Sequence, residues 1–152
     1  MSAEHPIAER RRLLDEGAEL WSRLDSLLQE CEGRARLHAE GPTDWTNRDV
    51  YAHFARWIGF TTEQVQRKAA GLDWLPPIPG TDDEINERWA AEDRALTVAQ
   101  ARAWSMQSIE TLRRLMLDLS IDQWTRFGKK CIDDIGGEHY RAHIEFIEQA
   151  GA

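Results

Sequence analysis

The chain has no uninterrupted apolar run approaching the ~18 residues of a membrane-spanning helix, which excludes a transmembrane segment. Cysteine is scarce. Cys31 and Cys131 lie far apart and in no C-x-x-C spacing, which rules out a disulfide framework or a cysteine metal clip and predicts two thiols. Glycine and proline number only 10 and 5 in 152 residues, and 41% of the chain is apolar, so a low-complexity or disordered chain is excluded. Positive charge is in deficit, with 19 Lys and Arg against 27 Asp and Glu and a net charge of −8. That balance argues against nucleic acid or an anionic membrane surface as a partner. The one basic run, Arg10-Arg11-Arg12, lies among Glu9, Asp15 and Glu16 and reads as a solvated helix face. The opening stretch, MSAEHPIAERRR, becomes charged before any apolar core, so no secretory signal is read there and the expected location is cytoplasmic.

Alternating strand-like runs are missing as well, and the periodicity is helical throughout. A single all-α domain over residues 1–152 is expected, long enough to bury a core without covalent staples. A first helix is predicted from about Ile7 to Glu32, with Leu14, Ala18, Trp21, Leu24, Leu28 and Cys31 on one stripe and Gly33 as its stop. A second opens at Thr46-Asn47-Arg48-Asp49, a capping box with Asp in place of Glu or Gln, and runs to about Ala70. Its stripe is Val50, Phe54, Trp57, Thr61 and Val65.

The three prolines in Trp74–Gly80 forbid a helix, and the apolar residues there predict a connection packed over the ends of the helices. Thr81–Glu84 caps a shorter helix through Arg94, and Thr97–Gln100 caps another that runs to about Leu119. Ser120–Trp124 reads as one further turn, residues 125–137 as a glycine-containing loop, and Glu138–Ala150 as the last helix. Long connections in a helical chain of this size predict a four-helix bundle with crossovers. The seven tryptophans are expected mostly as core fillers with satisfied indole N–H groups, one or two of them lining a pocket.

Three of the five histidines stand out. His53 lies three residues after Val50 and four before Trp57, on the apolar face of its helix rather than among Arg48, Arg56 and Glu63. His139 and His143 are four apart, which places their side chains about 5–6 Å apart on one helical face. Ile144 and Ile147 turn that face at least partly inward. Two imidazoles on adjacent turns can hold one metal ion, as in H-E-x-x-H sites. Here Tyr140, Arg141 and Ala142 stand between them, so the glutamate of a metalloprotease is missing. Two readings follow from these residues: a shared metal, or histidines satisfied separately. His5 and His38 lie near helix ends and are expected to be exposed.

The run Asp44-Trp45-Thr46-Asn47-Arg48-Asp49-Val50-Tyr51-Ala52-His53-Phe54-Ala55-Arg56-Trp57 resembles the W-T/S-x-x-D-V-x-A-H-x-x-x-W second helix of the DinB/YfiT-like superfamily. His139-Tyr140-Arg141-Ala142-His143 resembles its closing H-Y-x-x-H helix. Asp83-Glu84-Ile85-Asn86-Glu87 is similar to the D-x-I-N start of helix three in the ClbS/DfsB-like and mycothiol-dependent maleylpyruvate isomerase-like branches.

The resemblance implies a DinB-like four-helix bundle with a divalent metal on His53, His139 and His143. Zinc or nickel suits three imidazoles best, with iron or manganese as alternatives. A three-histidine shell leaves positions open for water or substrate. The resemblance further implies an enzyme acting on a small electrophilic metabolite, either as a transferase or isomerase using a low-molecular-weight thiol or as a hydrolase. Trp57, Asn86 and Tyr140 are the candidates to line its pocket. The ClbS/DfsB-like branch implies instead a resistance protein acting on a reactive metabolite. The alternative from another class is a non-catalytic binding or dimerising bundle; family members often dimerise, so the resemblance also implies a homodimer as a candidate assembly.

Overall fold

The computed structural model describes residues 4–34, 37, 44–135 and 137–150, and all regular structure among them is helical. Helices α1 (Pro6–Glu30), α2 (Asn47–Ala69), α3 (Asp82–Asp93) and α4 (Val98–Asp118) are followed by a single turn, α5 (Ile121–Gln123). A π-helical turn (Trp124–Gly128), α6 (Lys129–Ile135) and α7 (Gly137–Ala150) complete the chain. None of these helices is long and apolar enough to cross a membrane.

The starts of the helices follow local chemistry. Thr81 and Glu84 exchange hydrogen bonds of 3.2 Å each, and Thr97 and Gln100 exchange bonds of 2.9 and 3.0 Å, so both predicted capping boxes form. Ser120 and Gln123 form a third box. Before α2, the Asp49 carboxylate accepts from the Thr46 N–H at 3.0 Å. The far end of α4 is held differently. Arg10, from α1, donates to the carbonyls of Met116 and Leu119 at 3.1 and 2.8 Å, where a cation meets the negative end of the helix. Arg10 is therefore not part of a solvated face, although Arg12 remains on the surface with Glu4 and Glu16.

Helix α2 is the centre of the packing. It lies along α4 and also meets α3 and α6, while α1 runs against α7. From Val50 to Ala55 every side chain of α2 is buried. The stripe continues through Ile58, Thr62 and Val65, whereas Trp57 and Thr61 are only half-buried and turn toward a cleft. Between α1 and α2 the Tyr51 hydroxyl donates to Asp25 at 2.6 Å, and Arg102 of α4 closes on the same carboxylate with two bonds of 2.9 Å. Arg102 chiefly, helped by Tyr51, holds the Asp25 carboxyl below its usual range.

Two expectations are corrected here. Residues 125–135 and 137, the described part of the expected loop, are helical. Trp124, Phe127, Cys131 and Ile132 are buried at helical spacing, and that pattern prevails over the glycine signal. Gly128 serves close packing, because a Cβ there would lie 2.9 Å from Leu119 Cδ1 and 3.0 Å from Trp124 Cε3. Trp124 itself is fully buried, yet its indole N–H has no hydrogen-bond partner among the described residues, against the expectation that buried indoles are satisfied.

The second correction concerns the connection Trp74–Gly80, which is non-helical as expected but mostly exposed rather than packed over the helix ends. Polar ties hold it instead. Leu75 N–H donates to Gln64, Arg67 to the Asp73 carbonyl and Arg88 to the Pro79 carbonyl, while the Lys68 ammonium sits 5.1 Å from the Trp74 ring.

Candidate metal centre

His53 reaches the centre from the second turn of α2, and His139 and His143 reach it from adjacent turns of α7. Their ring centroids are separated by 5.0 to 5.4 Å, and one ligand nitrogen from each lies within 4.8 Å of the other two. This is the only such group of potential metal ligands among the described residues. His53 Nε2 and His139 Nε2 are 3.3 Å apart. Nitrogens bound ~2.0–2.1 Å from one tetrahedral ion are separated by about 3.3–3.4 Å, so this pair already has the spacing such an ion requires. His53 and His143 are buried, and His139 is half-buried at the edge of the cleft.

The tautomer of His53 follows from its neighbours. The Trp57 indole N–H, which can only donate, points at one end of the Asn86 amide at 2.7 Å, so that atom is the carbonyl oxygen. His53 Nδ1 lies 3.2 Å from the same oxygen and must therefore carry the ring proton. That leaves the Nε2 lone pair directed toward His139. An outer carbonyl that fixes the tautomer and orientation of a ligating imidazole is the usual support of a histidine metal site. Asn86 is buried and Trp57 half-buried, and both contribute to this one oxygen contact. The family resemblance marked them as pocket candidates without revealing that they act on His53.

The rings rest on an aromatic bed. Phe54 lies 4.6 Å from His139 and 4.9 Å from His143, and Trp45 stands edge-on to His53 at 5.4 Å. Above them opens a cleft of about 790 Å³ that includes His53 and His139 in its lining. Trp57, Phe60 and Trp74 give it an aromatic side, and Asp82, Asp83, Asp133 and Glu138 give it carboxylates, with Lys130 among them. Asp82, Asp83 and Glu138 stand in the first turns of α3 and α7, where a carboxylate also complements the helix dipole. Lys130, Cys131 and Asp133 come from the segment read as a loop, which is why they escaped notice as lining residues. Cys31 and Cys131 are both buried and form no disulfide, and only Cys131 borders the cleft.

Tyr140 does not line this cleft. One residue after His139, it is turned by about 100° around α7 and packs against Trp21 and Phe54, with centroids 5.8 and 5.3 Å away. His5 is exposed and accepts from the Ile7 N–H as the N-cap of α1, while His38 lies outside the described residues.

Three imidazoles without a carboxylate or thiolate form a neutral donor set that could hold one divalent ion. Their burial, mutual spacing and outer support all agree with that fit. No family model, curated protein or solved structure matches this chain.

Proposed function

We propose that the chain is a metal-dependent enzyme with a DinB-like four-helix bundle, formed by α1, α2, α4 and α7, that acts on a small electrophilic metabolite. The observation that carries the reading is the meeting of His53, His139 and His143 at the base of a cleft large enough for a metabolite. The resemblance of the second and last helices to the DinB/YfiT-like pattern supports the same three residues as ligands. Zinc or nickel is the first expectation, then iron or manganese.

When bound, such an ion lowers the pKa of a water or thiol at its open position, so that a nucleophile is available near neutral pH. The chain's own contribution is positional. Asn86, held by Trp57, keeps the His53 proton on Nδ1 and its lone pair on Nε2. Phe54 and Trp45 exclude water from beneath the imidazoles. Half-buried His139 marks the boundary at which a substrate would approach, and Trp57, Phe60 and Trp74 offer apolar surface to its carbon skeleton. The co-substrate is a low-molecular-weight thiol in the transferase or isomerase version and water in the hydrolytic one. The ClbS/DfsB-like version would use the same residues against a reactive metabolite.

A second reading has one observation in its favour. The 3.3 Å between His53 Nε2 and His139 Nε2 is also a hydrogen-bond distance between neutral imidazoles, as a non-catalytic binding bundle would have. Cobalt substitution separates the two. The enzyme reading expects a visible d–d spectrum of a low-coordinate site that changes when thiol is added, or a hydrolytic rate if it does not. Less than about 0.2 metal per chain in untagged protein, with melting unchanged by chelation, would favour the bundle without metal.

A further inference from the structure

The walls of the histidine cleft carry charge of mostly one sign. Asp82, Asp83, Asp133 and Glu138 line it against a single lysine, Lys130, and all four acids are exposed. His53 is buried, so the carboxylates stand toward the mouth and the imidazoles toward the floor. Elsewhere the chain matches its acids with arginines, as Asp25 with Arg102 and Asp93 with Arg56. None of the four cleft carboxylates has an ion-pair partner among the described residues. Nor do they gather into a metal site, since the three histidines are the only compact group of potential ligands among the described residues. Charge spread around an opening in this way draws in a cation larger than a metal ion.

A second, independent feature points the same way. Three other indoles are paired with the chain's own cations. The Arg56 guanidinium lies 5.7 Å from the Trp89 ring and 5.3 Å from that of Trp104, and the Lys68 ammonium lies 5.1 Å from Trp74. Trp57 and Phe60, which line the cleft, are half-buried and stand edge-to-face with centroids 6.2 Å apart. Neither has a cation over its ring among the described residues. An aromatic face attracts a cation through its quadrupole, most strongly where water is excluded. The volume of about 790 Å³ leaves room for a whole metabolite beside these rings.

We infer that the cleft takes an organic ammonium compound, whose cationic group sits among the carboxylates and against Trp57 and Phe60 while its uncharged end reaches the histidines. The inference rests on the reading of this cleft as the substrate site and adds the charge of the substrate to it. The carboxylates concentrate cations at the mouth and repel a carboxylate-bearing competitor. The rings then retain a cation that carries an apolar skeleton over a small hydrated one.

The test compares choline with neohexanol, its uncharged carbon isostere, so that only the charge differs. Amide and indole N–H shifts of the labelled protein are followed by NMR, with and without added zinc. Choline should shift the Trp57 indole and the amides around Asp83 and bind roughly 3- to 30-fold more tightly than neohexanol. The advantage should shrink as ionic strength rises from about 0.01 to 1 M, while neohexanol binding stays put. Asp82→Asn, Asp83→Asn and Asp133→Asn together should remove most of it. Glu19→Gln, Glu30→Gln and Asp118→Asn change the net charge equally at exposed positions outside the cleft and should leave it intact. Phe60→Leu, which keeps the bulk and loses the ring, should weaken choline more than neohexanol. Equal affinity for the two probes in the unaltered protein, shifts confined to residues outside the cleft, or an advantage that survives the three cleft substitutions would overturn the inference. A choline preference in a chain that takes up no metal would keep the ammonium site and remove the metal-dependent enzyme. Metal uptake without that preference would do the reverse.

Discussion

On one side of the Phe54 and Tyr140 rings lies a cleft where three imidazoles meet, and on the other lies a smaller apolar cavity with a single phenol. Helix α7 supplies both. His139 lines the cleft and His143, one turn further on, is buried beside it, while Tyr140 between them lines the smaller cavity. The polar side is secured by outer hydrogen bonds, since Asn86 and Trp57 fix His53. The apolar side has no such support. The difference teaches how each side is held: the Asn86 and Trp57 bonds preset a donor set that suits an ion, whereas the other side, lined by Leu13, Ile109, Leu112 and Ile132, is shaped by apolar packing.

The most disruptive way to break the comparison is to remove the partition. Phe54 is fully buried and touches His139, His143 and Tyr140. Phe54→Ala should cost about 3–5 kcal/mol in urea unfolding, as large core truncations do. A loss under about 1 kcal/mol would mean that the two regions share no rigid wall. Next, His53→Ala should lower metal affinity by more than roughly 100-fold, beyond what an outer partner is worth.

Asn86→Ala sharpens the same point with a smaller effect. It removes the acceptor that holds the His53 proton, and a loss of about 10- to 100-fold in metal affinity is expected by competitive chelation. Trp57→Phe should act in the same direction and more weakly. If Asn86→Ala leaves affinity intact, the amide is packing and not support.

The smallest effect concerns Tyr51, the tyrosine that has its partners. Arg102 holds the folded Asp25 carboxyl below the ~3.9 of an unfolded aspartate. The stability this contributes is present above that value and is lost as pH falls toward and through the folded pKa. Urea midpoints from pH 6 down to pH 3 should converge for the unaltered protein and Asp25→Asn. Because Arg102 is partly solvated, the separation at pH 6 should be modest. Equal midpoints at pH 6 would remove the carboxylate from the account.

Much of this could be read before any coordinates. His53 was legible because a histidine on an apolar stripe needs a reason, and His139 and His143 because four residues make one helical turn. The helix starts were legible because capping boxes are local, within four residues. What escaped was non-local or ambiguous. Asn86 meets His53 across 33 positions of sequence, and no spacing rule links them. The glycines and lysines of 125–137 suggested a loop, while the weaker periodicity of Trp124, Phe127, Cys131 and Ile132 described a helix that closes one wall of the cleft. Arg10 looked like surface charge because the carbonyls that receive it lie more than a hundred residues away.

The central claim is that His53, His139 and His143 hold one divalent ion. Elemental analysis of untagged protein, combined with thermal melting before and after chelation, tests it most directly. The account predicts about one zinc- or nickel-type ion per chain and a melting temperature that falls when the ion is removed. Metal below about 0.2 per chain after loading, with melting indifferent to chelator, would contradict it.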